Sequence, residues 1–461
     1  MKDLFLGIDI GTTAIKIGVI ASGAFVNQQT LPLQTFYGDN GAKYQSAQEL
    51  LAQIKQGITN IPLDLRQLIT TISFSAPMHS CWPVTPGQEN DQVFIWADTQ
   101  AQATIRDFQQ SDQAKDFYLK TGTPIHPMSP FAKIKHFHEQ TQYTTSTKWY
   151  GIKELVLQAF TGVARIDLAT ASATGLLNLS TCQWDREILT TLAIDEDQLA
   201  ELVDTTARFS LVPSLASQLA LPLNATVVAG ASDGCLAAFA GYQTTGIANS
   251  LTIGTSAAVR KVSSATSLDP IRQNFCYYLN ADQYVIGAPS NNGGNVIAWA
   301  SEKFAQHASE FHAEIPTILQ QSPIGANGVR FMPFLNGERA PYWDANKQAE
   351  FKNMTIKTTR ADLIRSVFEG MLLNLHQLTD LVGVNGPITI SGGVFQSTAL
   401  QQLTADILGL DCWLSAANEP IAGLYMLITG QQLQTTITTQ KIKFNPQVHQ
   451  QYQQYYQHYF D

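Results

Sequence analysis

The sequence predicts an α/β protein of two domains, built on one repeated plan with a ligand cleft between the copies. Three observations predict it. Short apolar runs of strand length alternate with longer helical stretches along the chain, the pattern of α/β architectures. A motif near the start, Ile10-Gly11-Thr12-Thr13-Ala14, returns about half a chain length later as Ile253-Gly254-Thr255-Ser256-Ala257, again between apolar flanks. The 461 residues, 44% of them hydrophobic, hold material for two or three cores.

The first element is the apolar run Leu4 to Ile10. Gly11-Thr12-Thr13 follows, then a second apolar run from Ala14 to Ile20, and the three read as a β-hairpin. A glycine at the turn lets a ligand approach the backbone, and the following N–H groups with two hydroxyls suit a phosphate. Asp9, at the strand end, can hold Mg²⁺ through water, and Lys16 adds positive charge nearby. An ordinary Gly-Thr hairpin is the alternative. The chain has neither G-x-x-x-x-G-K-[ST] nor G-x-G-x-x-G, which excludes a P-loop and weakens any dinucleotide reading.

Next come Met78-His79 and Trp96-Ala97-Asp98. Trp beside Asp suits a sugar, the ring packing on C–H faces while the carboxylate takes hydroxyl bonds; core packing is the alternative for Trp96 and for His79. The run Gly122 to Met128 is dense in turn formers. Val227 to Ala231 reads as a strand and Cys235 to Ala240 as a buried helix, with Ser232-Asp233-Gly234 between them. A carboxylate there can take the proton from a substrate hydroxyl attacking phosphorus. It can equally cap the helix, and the two roles are compatible, since a helix N-terminus favours the ionised form.

The second turn, Gly254-Thr255-Ser256, offers a second phosphate cradle, so that two turns, one per domain, face one polyphosphate. Asn336 to Asp344 is a polar, aromatic loop that also reads as a structural corner. Gly392-Gly393, after the strand-like Ile388 to Ser391, allows a flat base to lie against the backbone. Tyr452, Tyr455, Tyr456 and Tyr459 stand at helical spacing and read as a packing face.

Composition narrows the partners. A formal net charge of −9 argues against nucleic acid or an anionic membrane surface. No run approaches a membrane span, and the opening MKDLFLGIDIG has too short an apolar stretch for a signal peptide. Five widely spaced cysteines show no metal spacing and read as reduced thiols of a cytoplasmic protein.

Taken together in this order and spacing, Asp9 to Lys16, Met78-His79, Trp96 with Asp98, Gly230 to Gly234, Gly254 to Ser256, Gly337 to Asp344 and Ser391 to Gly393 resemble the FGGY family of carbohydrate kinases across essentially the whole chain. The resemblance implies two actin-like, ribonuclease-H-like domains around a nucleotide cleft, residues 1–236 for sugar and the first phosphate turn and 237–461 for ATP. It implies Asp233 as catalytic base, Asp9 near the metal, Gly11, Thr12, Thr13, Lys16, Gly254, Thr255 and Ser256 near phosphates, and Gly392-Gly393 near adenosine. Met78, His79, Trp96, Asp98 and Asp233 would meet the sugar. The stretch Thr121 to Pro130 looks most like the gluconate kinase branch, with the xylulokinase branch as alternative, and His126 and Lys133 are the expected cationic partners of a sugar carboxylate. The expected cofactors are ATP and Mg²⁺, and a homodimer is compatible with the reading.

Three stretches depart from the family pattern: Gln100 where Arg is usual, Lys347-Gln348-Ala349 where Ala-Arg-Gly is usual, and Ile421 to Tyr425 in place of a small-residue helix. Two readings from other classes share the phosphate turns, a chaperone- or actin-like ATPase switch and a kinase-shaped sugar sensor without turnover. The first leaves Met78-His79 and Trp96-Asp98 unexplained.

Overall fold

The computed structural model describes residues 4–140, 143–305, 311–415, 419–434 and 440–460. Strands of the two main sheets are numbered here along the chain. The first sheet holds β1 (Leu4–Ile10), β2 (Ala14–Ala21), β3 (Ala24–Pro32), β4 (Ile69–Ala76), β5 (Arg208–Ser210) and β6 (Thr226–Ser232), in the order β5-β6-β4-β1-β2-β3. The second holds β7 (Asn249–Ile253), β8 (Ala257–Ser263), β9 (Phe275–Asn280), β10 (Gln283–Ser290), β11 (Ile388–Ser391), β12 (Cys412–Leu414) and β13 (Gln440–Ile442), in the order β9-β10-β8-β7-β11-β12-β13.

The two orders superpose. In each sheet an antiparallel hairpin, β1–β2 or β7–β8, carries a third antiparallel strand on one side, β3 or β10. On the other side the first hairpin strand pairs parallel with β4 or β11, then comes a further parallel strand, β6 or β12, and an antiparallel edge, β5 or β13. Only β9 is extra. The repeated plan read from Gly11 and Gly254 is therefore a repeat of topology. The two turns are not identical: Ile10 pairs with Ile15, whereas Ile253 pairs with Ala257, so the second hairpin is one residue tighter.

The strand β1 is buried along its whole length, as a central strand covered on both faces must be. Six helices position the site: α1 (Pro130–Glu139), α2 (Ile152–Thr161), α3 (Asp233–Thr245), α4 (Gly294–Phe304), α5 (Arg360–Val382) and α6 (Pro420–Thr429). The helix α3 follows extended Ser232 (φ −74°, ψ 148°) and stops at left-handed Gly246. A capping box at Thr359 and Asp362 starts α5, which runs through the second core. The expected boundary between 236 and 237 falls inside α3, which continues to Thr245; the second sheet starts at Asn249.

The two halves meet around α3 and α6. Phe5 and Ile20 of the first sheet and Val262, Tyr277 and Val285 of the second share one core with Leu236, Ile421 and Tyr425. The tyrosine stripe is a packing face as expected: Tyr452 Oη bonds Arg365 and Glu369, and Tyr459 Oη accepts the Phe331 N–H. Cys81, Cys235, Cys276 and Cys412 are buried free thiols and Cys182 is half-buried.

Candidate active site

A cavity of about 1110 Å³ lies between the halves, lined by Thr12 and Thr13 of the first turn and Gly254, Thr255 and Ser256 of the second. Both turns are held from behind. The Gly11 N–H donates to Ala14 O at 2.9 Å, and Gln45 Nε2 and Thr35 Oγ1 donate to Thr12 O at 2.9 and 3.0 Å. In the second, the first residues of α4 donate to the turn: Gly294 N to Gly254 O at 2.8 Å and Asn295 N to Thr255 O at 3.1 Å. A Cβ on Gly294 would stand 2.6 Å from Gly254 O, so α4 can press on the turn only with glycine there. The sequence reading missed this support, although Gly293-Gly294 was its visible signal.

Gly392 has φ +111°, and a Cβ on it would stand 2.1 Å from Ile253 O. Its positive φ and its packing against β7 both require glycine, while Gly393 faces open space. Neither is among the residues lining the cavity.

Asp233 lines the cavity as the first residue of α3. The cap position itself belongs to Ser232, so Asp233 is not the N-cap. Its Oδ1 accepts the Gly234 N–H at 2.7 Å. Burial pushes its pKa up, opposed by that hydrogen bond and by the Arg260 guanidinium. Arg260 lies close by, since a Cβ on Gly234 would be 3.6 Å from two of its nitrogens.

Asp9 is 8% exposed and accepts Ser75 Oγ at 2.6 Å. Burial lifts its pKa to about 7, with the Asp233 and Glu419 charges adding to the rise and Ser75 and Lys16 opposing it. A buried carboxyl facing other anions is an environment that a divalent cation relieves. No group of three or more His, Cys, Asp or Glu converges among the described residues. Such a cation would take its other ligands from water and phosphate oxygens, which suits Mg²⁺. Lys16 Nζ sits 3.0 and 3.3 Å from the Glu419 carboxylate, joining the first hairpin to the start of α6.

Met78, His79, Trp96, Asp98 and His126 all line the cavity. Lys133 does not. It is 1% exposed, and its ammonium donates to His79 O at 3.1 Å and to Met128 O, tying the segment after β4 to the 122–128 loop. It is neither the expected carboxylate partner nor a solvated surface lysine. Asp98 is also largely occupied: its carboxylate takes Lys43 N at 3.0 Å and Gln100 Nε2 at 2.9 Å, so the departure at Gln100 gives it a neutral partner.

The histidines carry no charge. His79, in left-handed conformation (φ +67°), has Nδ1 2.7 Å from Ala173 O and Nε2 3.4 Å from Tyr277 Oη. Burial brings its pKa down to about 3; His126 also falls to about 3, through burial and then the Arg339 charge. Arg260 and Arg339, both half-buried, are cationic groups of the cavity wall. Arg339 donates to Ser290 O at 3.0 Å and stands 5.5 Å over the Trp96 ring. Burial lowers its pKa to about 10, which leaves it charged at neutral pH. The Nε atoms of both arginines lack a hydrogen-bond partner among the described residues. The signal for Arg260 was alternation: on β8, buried Val259 faces the core, and Arg260 points the other way. Glu338 next to Arg339 is structural, accepting from Ser290 Oγ, Asn291 N and Asn374 Nδ2.

Both halves match the FGGY family of carbohydrate kinases, its N-terminal domain over residues 4–240 and its C-terminal domain over 249–427. The chain belongs to this family and is a carbohydrate kinase. Gluconokinase of Bacillus subtilis strain 168 is 32% identical over 431 residues, spanning 88% of this chain and 83% of that protein. Xylulose kinase of Staphylococcus xylosus is 24% identical over 425 residues, spanning 87% of this chain and 85% of that protein. Among solved structures, a gluconate kinase and a ligand-bound xylulose kinase of Lactobacillus acidophilus each superpose with TM-score 0.90 at 27% identity. They cover 100% and 99% of this chain, and 97% of each of those chains is matched. Among the described residues no helix is long and apolar enough to cross a membrane.

Proposed function

We propose that the enzyme transfers the γ-phosphoryl group of ATP to the primary hydroxyl of D-gluconate, giving 6-phosphogluconate. The observation that carries the choice of a sugar acid is the cavity's charge. Two half-buried guanidinium groups, Arg260 and Arg339, line it with buried Nε atoms that lack a hydrogen-bond partner among the described residues, and both of its histidines are neutral. Asp233 lies near Arg260 and Glu338 near Arg339, but in each guanidinium the Nε–H is left without an acceptor, which is costly, and a substrate carboxylate offsets that cost. Arg339, stacked over Trp96, is the proposed carboxylate partner.

Asp233 is the proposed base, taking the hydroxyl proton, with Arg260 favouring its ionised form. The two Gly-Thr turns meet the phosphates through backbone N–H groups and hydroxyls. Asp9 is the residue that would hold Mg²⁺, which when bound neutralises phosphate charge. The test is a coupled ADP-release assay over a panel of sugars and sugar acids. D-gluconate is expected to exceed D-xylulose in kcat/KM by at least roughly tenfold, and Arg339→Met to shrink that ratio more than it harms a neutral sugar. A neutral sugar winning the panel would turn the assignment to a xylulokinase, which the likeness to the Lactobacillus acidophilus xylulose kinase supports.

A further inference from the structure

The strand that delivers Asp233 is not regular. On β6, Val228 pairs with Ser73 of β4 but Ala231 pairs with Ser75, so one extra residue bulges out. Gly230 sits in the bulge at φ +78°, where a Cβ would meet Phe74 O at 2.1 Å. The bulge's N–H groups are satisfied, Ala229 N by Ala207 O and Gly230 N by Thr205 O, both at 3.0 Å. Its carbonyls turn toward a buried ammonium. Lys153, on α2, places Nζ 2.6 Å from Phe74 O, 2.9 Å from Ala229 O and 3.3 Å from Ala231 O. Asp167 completes the site at 3.2 Å, and both side chains are fully buried.

We propose that Lys153 is a positioning residue for the phosphoryl transfer: it fixes the bulge at Gly230, three residues before Asp233, and so sets where the base stands. The inference rests on Asp233 being that base. An ammonium has three donors, and here three carbonyls from two strands converge on it. One of those strands, β4, runs on to Met78-His79, and the other, β6, runs on to Asp233. The same nitrogen therefore sets the spacing between a substrate contact and the base. A neutral side chain of similar length fills the space but leaves the carbonyls free to turn. The Asp233 charge in turn favours the protonated form of Lys153, against the burial that disfavours it.

The experiment pairs Lys153→Met with Asp167→Asn, so that no buried charge is left alone and the amide can still cap Thr170 as Asp167 does. Kinetics use whichever sugar the wild type turns over best, with circular dichroism and melting to verify folding. The expected result is a folded protein whose kcat drops about 10- to 100-fold while KM for ATP and sugar stays within about twofold. In a Asp233→Asn background the same pair of changes should cost less than about twofold more, because there is no base left to place. An unchanged kcat in the folded variant overturns the inference. So does an equal loss in both backgrounds, or a variant that cannot fold, since each would make Lys153 a prop of the domain only. If Asp233→Asn alone keeps the wild-type rate, the base reading falls and this inference with it. A normal loss in Asp233→Asn beside an intact double variant sinks this inference alone.

Discussion

His79 and His126 stand in the cavity as neutral rings, and that has a consequence for stability. Their pKa falls from the ordinary 6.5 to about 3 in the folded protein. Above pH 6.5 neither state binds the proton and the rings contribute nothing. As pH falls below 6.5, the unfolded chain takes up protons that the folded chain refuses, so stability drops until about pH 3. The rings' contribution should therefore fall on acidification from pH 6.5, against the opposite contribution of Asp9 and Glu154, lifted to about 7 and about 8, and His126→Gln should hold the melting temperature above that of the wild type by a margin that grows as the pH drops, which changes the slope. A slope untouched by the substitution would place the proton uptake elsewhere. Residue identities in the site were legible to different degrees. That Asp233 and the two Gly-Thr turns stand at the cavity could be read because their placement depends on local sequence: a strand end, a glycine, a helix start. Lys133, His79 and His126 could not be read as neutral or engaged, because burial and carbonyl partners such as His79 O and Ala173 O come from distant segments.

Among the elements, α3 and α6 pair closely. A Cβ on Gly423 of α6 would lie 2.4 Å from Leu236 O of α3, so the helices cross backbone to backbone. On the sheet side, Gly7 and Gly18 face each other across β1 and β2; the Ile421 methyl fills the space at Gly7 and shares that at Gly18 with the Phe25 ring. This is how a larger residue enters where the family has a small-residue helix: the bulk is taken up by the opposing glycines. Gly423→Ala should cost about 1–3 kcal/mol by overpacking, read as a lower denaturation midpoint at unchanged m-value. No loss would mean that α6 can shift away without penalty. The hairpins and α3 were visible from periodicity and turn residues. The bulge at Gly230 and the support of the second turn by α4 were not, since both are contacts between segments far apart in sequence.

At the scale of the molecule, the cavity is assembled from both halves: Thr12 and Asp233 stand on one side, Thr255 and Arg339 on the other. Ligands that touch both should draw them together. Small-angle scattering is expected to give a smaller radius of gyration with sugar plus a non-hydrolysable ATP analogue than with neither; an unchanged profile at saturation would count against a hinged cleft. The exposed Lys16–Glu419 pair spans the same divide, but each side chain is nearly half exposed, so it holds the halves only weakly.

The placement of Ile421 also reaches into how the protein is made. A ribosome delivers β1 and β2 well before α6, yet the side chain that covers Gly7 arrives some four hundred residues later. Until then the nascent first half carries a seam that is open at Gly7, and its final form waits on a segment far along the chain. Early folding is thus provisional, and the step that completes the first sheet is also the step that commits the two halves to each other.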